Sequence, residues 1–328
     1  MIHNIPRRGL IQKALAALTL GLALVTGVSA QDKPTIRILV GFPPGAGTDA
    51  LARIYGDALA TALNATVVID NKPGAGGLLA NQALKAATPE SNSLLFLIDH
   101  QVVMVPLITK NPGFDVKKDM VPVARITNVY SCLVVNASTP ATNLQGYAEL
   151  VRKNPDMGNY GIAAPGAKDQ FMGYVVGQHF KVKMNAVPYR GSAPAVVDLV
   201  GGQVPAVIVP CDNTVDQHVK SGKLRVLAMG ADKRIPAMPD VPTFAEQGIK
   251  MPVDSFLGVY AAASMKPEML RQITEASRKM FDNPKVMERI SAFKLDPSYA
   301  GPDELRQIVD RNLTYWGEQV RLSNFQAQ

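Results

Sequence analysis

Residues 38–49 read ILVGFPPGAGTD: an apolar run, a turn holding two prolines and two glycines, and then Thr48 and Asp49, where a helix can begin. An unalternating apolar run that stops at a Gly/Pro turn is the pattern of a strand buried on both faces. The stretch that follows, TDALARIYGDALATAL (48–63), places Leu51, Ile54, Tyr55, Ala58, Leu59 and Ala62 at helical spacing. Strand, glycine loop and helix start together aim backbone N–H groups at an anion.

The same alternation continues outward. ATVVID (65–70) reads as a second strand, NKPGAGG (71–77) as another glycine-rich turn, LLANQALKAA (78–87) as a helix and NSLLFLI (92–98) as a third strand. A second set starts near residue 123, with strand YSCLVVN (130–136), helix LQGYAELVRKNP (144–155), strand GNYGIAA (158–164) and a helix over 169–180. NAVPYRGSAPAVVDLVGGQVPAVIVPCDN (185–213) adds strand, turn, helix and strand. After GKLRVLAMG (222–230), the chain finishes with strand FLGVYAAA (256–263) and helices at 267–281 and 302–320. Repeated strand–helix–strand order predicts an α/β fold with doubly wound, mainly parallel sheets. No long linker divides the chain, which favours two lobes crossed by short strands over two tethered domains.

Export is written at the start of the chain. MIHNIPRRGLIQK carries Arg7, Arg8 and Lys13 without an acid, an apolar run spans residues 14–28, and VSA precedes Gln31. That order is a secretory signal with cleavage after Ala30. The apolar run is shorter than the roughly 20 residues that span a bilayer. The full chain has 34 basic and 27 acidic side chains, net +7; without the three cations of this segment the balance is +4. The excess is spread along the chain with no aromatic-interleaved basic stripe, so nucleic acid is excluded as a partner. His100, His179 and His218 show no metal-ligand spacing. Cys132 and Cys211 each lie beside a strand; they pair in the oxidising compartment or stay buried thiols, and spacing does not decide.

GAGTDA (45–50) also satisfies the dinucleotide fingerprint, with Asp70 ending the next strand. On that reading the protein is an exported NAD(P)-binding oxidoreductase using Gly45, Gly47 and Asp70. Pro43 and Pro44 oppose it, because they donate no N–H and stiffen the turn where it should curl under a pyrophosphate. The export signal opposes it too, and no acid–base pair follows at workable spacing. The phosphate-loop motif fails outright: residue 46 is Ala and no Lys precedes Thr48.

VGFPPGAGTDALAR (40–53), VVIDNKPGAGG (67–77), PYRGSAPAVVDLVGGQV (188–204), GKLRVLAMGADKRIPAMPDVPTFAEQG (222–248) and KPEMLRQI (266–273) resemble, in content and order, the Bug-type receptors of tripartite tricarboxylate transporters. The resemblance covers most of residues 33–316. It implies a two-lobed, type II-like periplasmic binding protein with its ligand cleft between the lobes. Residues 31–127 and 231–328 would form lobe I and residues 128–230 lobe II. It implies no catalysis and no cofactor. The expected partners are a small organic acid (a di- or tricarboxylate, an acidic amino acid or an aromatic carboxylate) and the permease subunits of a transporter, with the receptor itself a monomer. A ligand sensor signalling to a membrane partner would share the same cleft.

Carried onto this chain, the resemblance places the ligand against Phe42, Pro44, Gly45, Ala46, Gly47 and Thr48, with the amides of residues 45–48 and the Thr48 hydroxyl gripping a carboxylate. Asp49 reads as a first-turn acid rather than a contact. From the other lobe come Tyr189, Arg190, Gly191 and Ser192 of PYRGS; Asp212 reads equally as a ligand contact or a cap. The NKPGAGG turn reads as structural. Two loops depart from the family pattern: NYGIAAPGAKDQF (159–171) lacks the usual hydroxyls and brings Ala163, Ala164, Lys168 and Asp169, and IDHQ (98–101) brings His100 and Gln101. Fewer hydroxyls point to a ligand with an apolar or aromatic body, with Lys168 supplying charge.

Overall fold

The computed structural model describes residues 33–253, 255–293 and 295–327. The expected export signal at residues 1–30 lies outside the described residues. The first strand, β1 (Thr35–Val40), buries Ile36, Ile38, Leu39 and Val40, as its unbroken apolar run predicts. Then come α1 (Gly47–Leu63), β2 (Thr66–Asn71), α2 (Leu78–Lys85), β3 (Ser93–Ile98), α3 (Met104–Ile108), α4 (Val116–Asp119) and the long β4 (Met120–Val129). Tyr130 alone separates β4 from β5 (Ser131–Asn136), and there the chain passes into a second sheet. That part comprises α5 (Leu144–Lys153), β6 (Asn159–Ile162), α6 (Lys168–Phe180), β7 (Asn185–Pro188), α7 (Ser192–Val200), β8 (Ala206–Pro210), α8 (Asn213–Lys220) and β9 (Leu224–Met229). The chain returns through β10 (Ser255–Ala262), α9 (Pro267–Lys279), α10 (Pro284–Ser291), β11 (Asp296–Ala300) and α11 (Pro302–Leu322).

The first sheet has the order β11-β4-β10-β3-β1-β2 and the second β7-β6-β8-β5-β9. β1 pairs in parallel with β2 and β3, and β6 in parallel with β7 and β8. The outgoing β4 and returning β10 lie side by side, as do the arriving β5 and departing β9. A chain that leaves and re-enters through one seam must pair those strands antiparallel. The two-lobed α/β architecture is therefore as expected, but its sheets are mixed rather than mainly parallel.

One face of the first sheet packs Ile38, Phe96 and Val259 against Tyr55, Leu59 and Ile273. The opposite face continues without a break into the second lobe, joining Leu95, Tyr260 and Trp316 to Phe171, Tyr160 and Ile208. Helices α6 and α11 seal this seam, with Phe171 and Phe325 edge to face at 5.5 Å. The crossover residue is held from both lobes. The Tyr130 carbonyl accepts from Cys211 N–H at 2.7 Å, and its hydroxyl donates to Asp296 at 2.7 Å. Cys132 and Cys211 form a disulfide with their Cα atoms 5.6 Å apart, which decides between the two readings of these cysteines.

Candidate ligand-binding site

A cavity of 1010 Å³ lies between the two lobes. Gly47, Thr48 and Leu51 of α1 face it from one lobe, and Pro210, Cys211 and Asp212 from the other. Segment 231–238 and residues around the crossover (Asn128, Tyr130, Asp296) complete its wall.

The opening loop is organised by Asp49, which is buried in the first turn of α1. Its carboxylate accepts from Gly45 N–H at 2.9 Å, Asn71 Nδ2 at 2.9 Å, and Arg53 through Nε and Nη2 at 3.0 and 3.1 Å. Burial alone would raise its pKa; the hydrogen bonds from Arg53, Gly45 and Asn71 outweigh burial and hold the carboxyl below its usual range. Asn71 also donates to Phe42 O, tying β2 to the loop. This arrangement occupies part of the expected donor set. The Gly45 amide is spent on Asp49, and the Ala46 amide donates to Pro43 O at 3.2 Å. Phe42 and Pro44 do not line the cavity. Gly47 and Thr48 do line it. They precede the first helical bond, Ala50 N–H to Ala46 O, so their amides have no carbonyl of α1 to bind.

The second glycine-rich turn packs directly on the first. Gly77 has φ +94°, and a Cβ on Gly41 would come within 2.7 Å of the Gly77 Cα. Gln101 wedges behind both, fully buried, its side-chain amide donating to Gly77 O and Asn81 Oδ1 while its main-chain carbonyl accepts from Asn81 Nδ2. Gln101 is therefore a brace for the loops; it has no surface to offer a ligand. The His100 ring lies against Gly76 rather than in the cavity. Burial lowers its pKa and nearby Lys168 adds to that against the pull of Asp99, so the imidazole is neutral at pH 7.

Lys168 and Asp169 also sit elsewhere than expected. Lys168 reaches across from α6 to the other lobe, where its Nζ lies 2.5 Å from Asp99 Oδ2 and 2.9 Å from Ser255 Oγ. Asn312 Oδ1 is 3.4 Å away and the Trp316 ring lies beneath the ammonium. Side chains 8 % and 5 % exposed make this a buried interlobe ion pair. Asp169 accepts from Ser131 Oγ at 2.7 Å; burial pushes its carboxyl up to about 6 against the pull of Ser131 and Lys168. Lys168 thus ties this loop to the other lobe, while Asp169 is held within its own. Burial is affordable only because each charge has partners.

The loops of the second lobe satisfy one another. Gly191 N–H donates to Ala163 O at 2.8 Å, Ala167 N–H to Ala164 O, and Tyr189 N–H to Ile162 O. The Tyr189 hydroxyl donates to Asp198 at 2.9 Å. Ser192 opens α7, and Arg190 is exposed with no ion-pair or hydrogen-bond partner among the described residues. None of residues 163, 164 and 189–192 lines the cavity. Asp212 does line it, and caps α8: its Oδ1 accepts from Thr214 N–H at 2.8 Å and from the Thr214 hydroxyl.

Sequence reasoning missed Arg125, Tyr130 and Asp296. Sequence reading makes Tyr130 the first residue of the strand at 130–136 and does not show β4 before it, so the crossover at Tyr130 goes unnoticed. Arg125 donates to Ser298 O at 3.2 Å, and Asp296 accepts from both Asn128 and Tyr130. For the dinucleotide reading, Asp70 should be open to a ribose; it is bound instead by Arg37 and, at 3.5 Å, by Lys72.

Two α/β lobes, crossed twice by the chain and enclosing a cavity onto which a helix N-terminus opens, define a two-lobed solute-binding protein. The chain belongs to the tripartite tricarboxylate transporter receptor family, whose profile matches residues 51–324. It is 29% identical to the protein BugT of Bordetella pertussis over 305 residues, covering 92% of this chain and 93% of BugT. The structure of the periplasmic binding protein BugD superposes with a TM-score of 0.72 at 27% identity, covering 90% of this chain and 99% of BugD. That of MatC from Rhodopseudomonas palustris with bound malate gives 0.71 at 25% identity, covering 87% and 98%. Family and fold are those of a binding receptor rather than an enzyme.

Proposed function

We propose that this chain is an exported periplasmic receptor that captures a small organic carboxylate in the interlobe cavity for the membrane permease of a tripartite tricarboxylate-type transporter. The observation that carries this reading is the N-terminus of α1. Gly47 and Thr48 bring two amides and a hydroxyl to the cavity, at the electropositive end of a 17-residue helix. Family membership and the malate named with MatC support the same chemistry. No helix among the described residues is long and apolar enough to cross a membrane, in keeping with a receptor that works with separate membrane subunits.

The test is a thermal-shift screen of the purified chain against a panel of organic acids and neutral solutes. A ligand at 100 times its Kd adds about 2.7 kcal/mol to stability. An upward shift with one or more acids, lost in Thr48→Val, is the expected result. A shift with a neutral solute and with no acid refutes the carboxylate reading. Bound NAD(P) in native mass spectra would reinstate the oxidoreductase.

A further inference from the structure

We infer that the pocket between α4, β4, β10 and α11 is a second ligand site, taking a neutral, mainly apolar molecule that carries one oxygen acceptor for the Tyr260 hydroxyl. The inference is independent of the carboxylate reading, because this pocket shares no lining residue with the interlobe cavity.

The first observation is the hydroxyl. Four tyrosines are buried among the described residues: Tyr55, Tyr147, Tyr160 and Tyr260. Three have partners, Tyr55 with Ser277 at 2.6 Å, Tyr147 with Met157 O, and Tyr160 with Gln170 O at 2.6 Å. Tyr260 is 2 % exposed, yet no hydrogen bond joins its hydroxyl to another described residue. The oxygen is not sealed among protein atoms either, and Tyr260 lines a cavity of 230 Å³. A buried tyrosine hydroxyl ordinarily has a partner, and a ligand oxygen in this cavity would supply one. Burial holds the phenol well above its usual range, with Arg306 opposing and Asp310 adding, so it meets a ligand as an O–H donor.

The second observation is the wall. Pro122 lies directly across from Tyr260 in the β4–β10 pairing, and Met120 across from Ala262. Val309 and Leu313, one turn apart on α11, and Val116 of α4 complete an apolar lining. The ions at the pocket are paired: Lys117 with Asp310 at 2.8 Å, and Arg306 with Asp303 at 2.7 Å. These side chains are all exposed, so they belong to the mouth, where solvent screens them. A charged ligand would gain little from them and would lose its hydration against the apolar lining; a neutral one avoids that cost. An apolar cavity of about 150 Å³ holds benzene. The larger volume here admits a substituted ring, or an aliphatic chain of similar bulk.

Titration calorimetry on the purified chain with 4-methylphenol, toluene and 4-methylbenzoate tests this, beside the variants Tyr260→Phe and Leu313→Trp. Tyr260→Phe should weaken 4-methylphenol by about threefold or more and leave toluene unchanged. Because it removes a hydroxyl that has no partner in the fold, this variant should melt no lower than wild type. Leu313→Trp fills the pocket and should weaken 4-methylphenol by about tenfold or more. If Leu313→Trp does not fold, Tyr260→Phe alone is sufficient to read. No binding of 4-methylphenol to wild type overturns the inference, as does equal binding to Tyr260→Phe. Undiminished binding to folded Leu313→Trp places the probe elsewhere and overturns it too. A lowered melting temperature in Tyr260→Phe would show that the hydroxyl has a partner in the fold, with the same consequence. Binding of 4-methylbenzoate that folded Leu313→Trp abolishes would overturn the neutral class.

Discussion

Breaking the Cys132–Cys211 disulfide should destabilise the fold through its unfolded state. The bond joins residues 79 apart in sequence. The chain-entropy treatment of a closed loop of that length gives about 4.5 kcal/mol at 25 °C. Against a typical total of about 5–15 kcal/mol that is a large fraction. At roughly 2–4 °C per kcal/mol for a chain of this size, Tm should fall by about 10 °C or more. The assay is scanning calorimetry of the wild type with and without reductant, beside the double variant Cys132→Ala, Cys211→Ala. Cys211 is partly exposed and faces the cavity, so reductant can reach the bond. Because the constraint acts on the unfolded chain, ligand affinity measured well below Tm should be unchanged. A double variant melting within about 2 °C of wild type would refute the magnitude. An affinity that falls in step with Tm would refute the mechanism, and would mean the bond holds the cavity wall at Cys211.

Three further perturbations follow from the site. Asp49→Asn removes the acceptor shared by Gly45, Asn71 and Arg53 and should cost about 1–3 kcal/mol in urea unfolding and weaken ligand binding. Since the Asp49 pKa is depressed on folding, its contribution is full above the unfolded value near 3.8 and is lost as pH falls through the lower folded value, so Asp49→Asn should flatten that acid limb. Asp169 is the opposite case: raised to about 6 on folding, it binds its proton more tightly when folded. Stability should therefore drop by about 3 kcal/mol as pH rises from 4 to beyond 6, and Asp169→Asn should remove that drop and stabilise the protein at pH 7. Gly77→Ala meets Gln101 atoms at 2.4–2.6 Å at a φ of +94° and should cost about 3 kcal/mol or more, whereas Gly45→Ala at φ +84° meets nothing and should cost about 1–2 kcal/mol. Comparative urea melts of these two variants decide that pair.

The plainest strands in the sequence were those buried on both faces, though the half-exposed β2 and β7 were legible as well. LVGF and LLFL announce themselves because nothing polar interrupts them, and Ile36, Leu94, Phe96 and Val259 are fully buried. Among the elements that went unread, α3, α4, α8, α10 and β11 are short or half-exposed, whereas β4 is long and mostly buried and was hidden because Pro122, Arg125, Thr127 and Asn128 interrupt its apolar pattern. β11 begins with Asp296 and Pro297 on an edge of its sheet, a composition that local pattern assigns to a loop. Its position is set by β4, about 170 residues earlier in the chain, through Thr127 donating to Asp296 O.

The site was less legible than the fold, for a reason specific to backbone donors. A motif shows which residues can present N–H groups but not which acceptors have already taken them. Of the four amides in GAGT, Gly45 and Ala46 are consumed within the loop, by an acid four residues on and a proline carbonyl three residues back. Those partners were local and could have been counted. The partners of Lys168 could not: Asp99, Ser255 and Asn312 lie 69, 87 and 144 residues away, and nothing near residue 168 announces them. What survives the accounting is a polarised cavity, with open donors at the start of α1 and a carboxylate closing the start of α8. The two helix ends differ because Asp212 sits at the cap of one, while Ala46, which has no side-chain acceptor, sits at the cap of the other. On the proposed carboxylate reading, the anionic head goes to Gly47 and Thr48 and the body extends toward Leu257, Phe293 and Leu295.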